Sequence, residues 1–135
     1  PVLDPTKDGF NETIQEITQG RGVDVGVECS GTTPGLTVQM NSIRRSGKIV
    51  QTGLHTKPAT LDAMKLAERD ISYVGSWCYL ITDWPRVIRM VASGKYPIEK
   101  MISSVLNIDD VVTKGFDVLI DPKGDQMKVL VKVKQ

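Results

Sequence analysis

Val23-Asp24-Val25-Gly26-Val27-Glu28-Cys29-Ser30-Gly31 decides how this chain is read. It is a short, nearly continuous apolar run that ends in small residues. Thr32-Thr33-Pro34 and a helical pattern follow at once. A strand of this kind, buried on both faces and turning tightly into a helix, is a unit of a parallel α/β sheet. Ligands of open α/β sheets bind beyond the carboxyl ends of such strands. Cys29, Ser30 and Gly31 are therefore the first place to expect a bound molecule.

Working outward, Phe10, Ile14 and Ile17 recur at helical spacing within Thr6–Gln19, and Gly20 and Gly22 stop that helix. Thr33 offers an N-cap for the next helix and Pro34 a first helical position, where its missing N–H costs nothing. Leu36, Met40 and Ile43 form its buried stripe, Arg44 and Arg45 suit its last turn, and Gly47 ends it. Lys48–Thr52 is a second strand and Ile71–Gly75 a third, with a short helix over Leu61–Arg69 between them. Thr82 or Asp83 caps a helix with Pro85 in its first turn and Val87, Ile88 and Val91 inward, stopped at Gly94. Short strands alternating with helices across brief connections predict parallel βαβ units.

After Pro97 the pattern changes. Met101–Ile108 reads as a strand, Val111–Leu119 as a helix, and Lys128–Lys134 as an alternating strand whose lysines suit a solvated edge. The chain opens on Pro1 rather than methionine, and Val2-Leu3-Asp4 reads as the end of a strand. A piece of a longer protein is the expectation.

Composition narrows the function classes. With 135 residues the chain is long enough to bury a core. A formal charge of +1 gives no electrostatic reason to expect nucleic acid or an anionic membrane as partner. No run reaches membrane-spanning length and no basic-then-apolar leader stands at the front, so a cytoplasmic location is expected. Cys29 and Cys78 are the only cysteines and read as free, mostly buried thiols.

Conventional chemical motifs are missing. Gly20-Arg21-Gly22 with Gly26 has the wrong spacing for a dinucleotide fingerprint, and it precedes a strand instead of following one. His55 is the only histidine, with no Cys or Glu cluster beside it in sequence. It is read as a loop residue, not a metal ligand. More informative are Cys29-Ser30-Gly31, Thr52-Gly53-Leu54 and Gly75-Ser76-Trp77, which fall just past three successive strands. If those strands are neighbours, the turns line one edge of the sheet and offer backbone groups to a planar polar ligand. Small residues that simply end strands are the alternative.

LDPTKDGFNETIQEITQGRGVDVGVECSG (3–31), GKIVQTGLHTKP (47–58), ISYVGSWCY (71–79) and GDQMKVLVKV (124–133) together resemble the medium-chain dehydrogenase/reductase family. Within it they are most similar to the zinc-dependent branch of sorbitol and 2,3-butanediol dehydrogenases, over the back part of such an enzyme. The resemblance implies an α/β fold: an incomplete Rossmann domain, a doubly wound parallel sheet lacking its first two strands, over residues 1–96. Residues 97–135 would return to a GroES-like catalytic domain. Val2–Asp4 would end the third Rossmann strand, and the next three strands would be the fourth, fifth and sixth.

By the same resemblance, Cys29, Ser30, Gly31 and Thr32 would approach the adenosine and phosphate side of NAD or NADP. Thr52, Gly53 and Leu54 would meet the nicotinamide carboxamide, with Ser76 and Trp77 completing that clamp. Tyr79 would line the substrate pocket. Cys78 stands where sorbitol dehydrogenases carry an arginine just before it, which favours a smaller diol. Zinc would belong to the intact enzyme, with no ligand and no catalytic residue in this chain.

The chain alone is expected not to oxidise alcohols. A homo-oligomer is expected through the edge strand Ile71–Val74. Without the first two strands, Val23–Glu28 would expose an apolar edge, to be covered by upstream chain, paired with another molecule, or avoided by a rearranged sheet. Alternatives are a zinc-free quinone-reductase-like enzyme and a non-catalytic binding or oligomerisation module.

Overall fold

The computed structural model describes residues 1–121 and 123–133. They form two compact units, Pro1–Cys78 and Tyr79–Gln135.

The first unit contains α1 (Phe10–Ile17), β1 (Val23–Glu28), α2 (Thr33–Ser42), β2 (Ile43–Gln51), α3 (Ala63–Glu68) and β3 (Ser72–Gly75). The strands make one parallel sheet in the order β1-β2-β3. Gly26 pairs with Ile49, Val27 with Val50 and Glu28 with Gln51, while Val50 pairs with Val74 and Gln51 with Gly75. All three strands therefore end level, and their turns share one edge. This is the expected order of the fourth to sixth Rossmann strands, so the sheet has not rearranged.

A small core explains the arrangement. Ile49 is fully buried at the centre, packed with Leu36, Met40, Ile43 and Ile71, and flanked by Val23, Ala59, Leu61 and Leu66. Successive crossovers of one hand that add strands in one direction place their helices on the same face. A Cβ at Gly26 would run into the side chain of Gln39 and lie 3.5 Å from Ile43 Cδ1, so the missing side chain lets α2 lie against β1.

Burial of β1 on both faces is not what forms. Val25 and Val27 are about half exposed, with Val74 beside them on the face away from α2. Within this unit that face has no covering layer. The apolar run signals a two-sided environment that the unit by itself does not supply.

Several boundaries also move. Val2–Asp4 forms no strand, and Val2 is fully exposed. Asp4 instead accepts from the Thr6 N–H (2.9 Å) and hydroxyl (2.7 Å), a turn that delays α1 until Phe10. The cap of α2 is Thr32 rather than Thr33; its hydroxyl accepts from the Gly35 N–H at 3.2 Å. The helix stops at Ser42, because Ile43 is already extended (φ −69°, ψ 141°). Arg44 and Arg45 leave the helix and pair with Asp24 (2.6 Å) and Asp70 (3.3 Å). The regular ladder of β2 begins at Lys48, where the sequence places it, after an irregular stretch containing Ser46 at φ 53°.

The second unit contains α4 (Trp84–Ala92), β4 (Ser104–Asn107), α5 (Asp117–Leu119) and β5 (Val129–Lys132). The two strands are parallel and paired in register from Ser104–Val129 to Asn107–Lys132. Pro97 starts a 3-10 turn over Ile98–Met101, which shortens the strand expected from Met101. The helix expected over Val111–Leu119 divides into a π-helical turn, Val111–Phe116, and the short α5. β-Branched Val111, Val112 and Thr113 followed by Gly115 are poor helix formers.

α4 forms where it is read, with Asp83 at the N-cap position but without a side-chain cap bond; of its inward stripe, Val87 and Ile88 are exposed and Val91 is half-buried. Val129 and Val131 alternate with exposed Leu130 and Lys132, while Lys134 lies outside the described residues. Among the described residues no helix is long and apolar enough to cross a membrane.

Candidate functional site

The C-terminal edge of the three-stranded sheet is organised by one side chain. Glu28, the last residue of β1, is 2% exposed. Its carboxylate accepts from the Ser30 N–H (2.8 Å), the Ser30 hydroxyl and the Gly31 N–H (3.1 and 3.2 Å to its two oxygens). Gln51, paired with Glu28 across the ladder, donates Nε2 to Glu28 Oε2 at 2.5 Å and to the Gly53 carbonyl at 2.8 Å. The Glu28 carbonyl accepts from the N–H groups of Thr52 (2.9 Å) and Gly53 (2.8 Å) and from the Thr52 hydroxyl (2.9 Å). Two consecutive strand-end turns are thus tied to one residue.

Burial by itself raises the pKa of a carboxyl group. Here the hydrogen bonds from Ser30, Gln51 and the Gly31 amide outweigh it, and Glu28 titrates below its ordinary 4.5. The ionised form is the one this cage accommodates. Tyr73 donates its hydroxyl to Gln51 Oε1 at 2.8 Å. Its pKa is raised, first by burial and then by the charge of Glu28. His55 brings Nε2 to 3.7 Å from Glu28 Oε2, and that nitrogen is buried without a hydrogen-bond partner.

The turns also interlock through their glycines. A Cβ on Gly53 would strike the Gly31 nitrogen and lie 2.7 Å from Glu28 Oε2 and 2.8 Å from the Cys29 carbonyl carbon. Gly31, at φ 64°, lies with the same closeness against the backbone of Leu54. Only backbone fits between the two turns.

Two cavities flank this joint. One, of about 460 Å³, is lined on its polar side by Glu28, Cys29, Ser30 and Thr32, and on its apolar side by Pro34 and Val38 among others. The other, of about 530 Å³, is lined by Gln51, Thr52, Gly53, Leu54, His55, Gly75, Ser76 and Trp77. The structure therefore brings Thr52, Gly53, Leu54, Ser76 and Trp77 to one hollow and gathers Cys29, Ser30 and Thr32 at its neighbour. Gly31 sits between them. The Ser76 N–H donates to the Gln51 carbonyl at 2.9 Å, which fixes the third turn to the second.

Tyr79 falls in the second unit and is about two-thirds exposed. Its ring stands edge-on to Trp84 at 5.3 Å, beside Asp83 and Val87 around a hollow of about 160 Å³. Cys29 and Cys78 are free thiols but exposed, not buried as expected. Cys29 lies past the end of its strand, with Thr52 Oγ1 3.2 Å from its sulfur.

Sequence reading missed Glu28 and Gln51 as members of the site. Glu28 was visible as a charged residue closing an apolar run, and its partner Gln51 as the residue in register on the next strand. The sequence pattern marks both only as strand residues. Among the described residues no group of three or more His, Cys, Asp or Glu side chains comes together to hold a metal ion.

Comparison with known proteins agrees with this architecture. The family described as zinc-binding dehydrogenase matches residues 1–93. D-arabitol-phosphate dehydrogenase of Enterococcus avium is 30% identical over 132 residues, covering 97% of this chain and 37% of that protein. (R,R)-butanediol dehydrogenase of Neisseria gonorrhoeae is 26% identical over 130 residues, covering 96% and 36%. The crystal structure of 2R,3R-butanediol dehydrogenase from Bacillus subtilis superposes with a TM-score of 0.85 at 27% identity, over 98% of this chain and 38% of that one. The chain thus spans under two-fifths of the length of these relatives. It belongs to the zinc-binding dehydrogenase family and carries an incomplete Rossmann-type α/β sheet.

Proposed function

We propose that this chain supplies the back half of the nicotinamide-cofactor domain of a zinc-dependent dehydrogenase acting on a small diol or polyol. The observation that carries the reading is the pair of interlocked, amide-rich turns at the ends of adjacent parallel strands, each opening on its own cavity. The names of the relatives, a butanediol and an arabitol-phosphate dehydrogenase, support the substrate class.

In this reading, bound NAD or NADP supplies the hydride acceptor. Cys29, Ser30, Gly31 and Thr32 take its adenosine and phosphate side. Thr52, Gly53, Leu54, Ser76 and Trp77 take the nicotinamide carboxamide, and Tyr79 takes substrate. The missing side chain of Gly53 lets the second turn pack directly on the first, which brings the two hollows side by side. The Glu28 cage ties both turns to one buried side chain.

Zinc is the metal of the family, but the described residues present no set of ligands for it. Residues 97–135 are assigned to the return into the catalytic domain. The exposed strand β3, with Tyr73 and Val74 at its surface, is assigned to pairing with a second copy, and the intact protein to the cytoplasm.

Calorimetric titration of the 135-residue chain with NAD and with NADP tests the proposal. Saturable binding of one of them, without alcohol oxidation in the presence of zinc, is the expected result. Absence of saturable binding would leave the strand-end turns with a structural role only. Zinc-dependent turnover by the isolated chain would refute the assignment of catalysis to residues outside it.

A further inference from the structure

The carboxylate of Glu28 is shared. Oε1 accepts from Ser30 at the wall of the first cavity, Oε2 accepts from Gln51 at the second and faces His55, and the Gly31 N–H reaches both oxygens. Glu28 itself lines the first cavity, and Gln51 and His55 line the second. Both turns are hydrogen-bonded to this one almost wholly enclosed group, the first directly and the second through Gln51. Coupling between sites requires an element that both ligands bias. This side chain is placed to be such an element, since it lines the first cavity and reaches the second through one residue.

We infer that Glu28 is a positioning residue that couples the two cavities, so that filling one tightens binding in the other. The inference rests on the proposed assignment of the two cavities to the halves of one dinucleotide. It goes beyond that assignment by predicting that the halves bind cooperatively even when they are not joined. Gln51 transmits the coupling: its Nε2 bridges Glu28 and the Gly53 carbonyl, and Tyr73 holds its other end. His55, with its buried and unpartnered Nε2, closes the far side of the bridge.

The test uses the two halves of the dinucleotide without the pyrophosphate link between them, adenosine monophosphate and nicotinamide mononucleotide. Each is titrated into the 135-residue chain alone and at saturation of the other. The coupling factor is the ratio of the two affinities, and about fivefold or more is expected, at the low end of ordinary coupling between sites. Gln51→Met keeps the side-chain volume but severs the carboxylate from the second turn. It should bring the factor to about one, whatever each affinity becomes alone. Glu28→Gln should do the same; if it does not fold, Gln51→Met decides.

A purely structural role would weaken each ligand and leave the ratio untouched. Persistence of coupling in Gln51→Met, or simple additivity in the unaltered chain, overturns the inference and leaves the proposed cofactor role standing. Failure of both molecules to bind overturns the inference, and the dinucleotide titration decides the cofactor role separately.

Discussion

Gly53→Ala places one methyl group between the two turns. The nearest atoms to the new Cβ are the Gly31 nitrogen, Glu28 Oε2 at 2.7 Å and the Cys29 carbonyl carbon at 2.8 Å. Two of these are backbone, so no side-chain rotation relieves the overlap. Overpacking of this kind costs about 1–3 kcal/mol. Moving the turns apart also strains hydrogen bonds to an ionised carboxylate, each worth about 1.5–3 kcal/mol. A total of about 3 kcal/mol follows if one such bond is half lost. With a urea slope of about 2 kcal/mol/M, the unfolding midpoint should drop by about 1.5 M.

Gly75→Ala is the internal control, because a Cβ there meets nothing within 4 Å. It should be neutral, or stabilising by up to about 1 kcal/mol through loss of freedom in the unfolded chain. Amide exchange read residue by residue localises the effect: Ser30, Gly31, Thr52 and Gly53 should lose protection in Gly53→Ala, while Ile49 keeps it. Equal midpoints for the two variants, or uniform loss of protection across the sheet, would refute the interlock.

Two further outcomes follow from the same site and its support. Glu28 has a depressed pKa in the folded chain, so its stabilisation is complete above about pH 4.5 and is lost as the pH falls through the folded value. The urea midpoint of the unaltered chain should therefore fall more steeply than that of Glu28→Gln on acidification below pH 4.5, and parallel curves would contradict the cage. Ile49→Ala, at the fully buried centre of β2, should cost about 2–5 kcal/mol in chemical denaturation; a loss under about 1 kcal/mol would mean that the core lies elsewhere.

The strand–turn–helix grammar was legible because it depends on local chemistry. The Val23–Glu28 run, the Pro34 start and the Lys48 ladder all emerge close to where the residues place them. Strand order followed from the resemblance and the short crossovers. The cap of α2 slipped by one because Thr32 and Thr33 carry the same hydroxyl, and only backbone geometry selects between them. The second unit was harder. Pro97, the β-branched run at Val111 and Gly115 each break periodicity, leaving short turns where longer elements were expected.

Of the site, the small residues were visible because close approach demands them. Glu28 was not, because a buried carboxylate reads as an anomaly until its partners are known, and Gln51 lies on another strand. Two-sided burial of β1 was the largest miss. Hydrophobicity reports the environment for which a strand is suited, and the first unit provides only half of it.

The contact between Gly31 and Gly53 also bears on how such a sequence can drift. Neither position can accept a side chain while the opposite turn keeps its path, so a single substitution at either one passes through a strained intermediate. Change at this joint is open only to paired replacements that re-route both loops together. The strand-end edge of the sheet is therefore a mutational ratchet, locked at the two glycines whose backbones meet there.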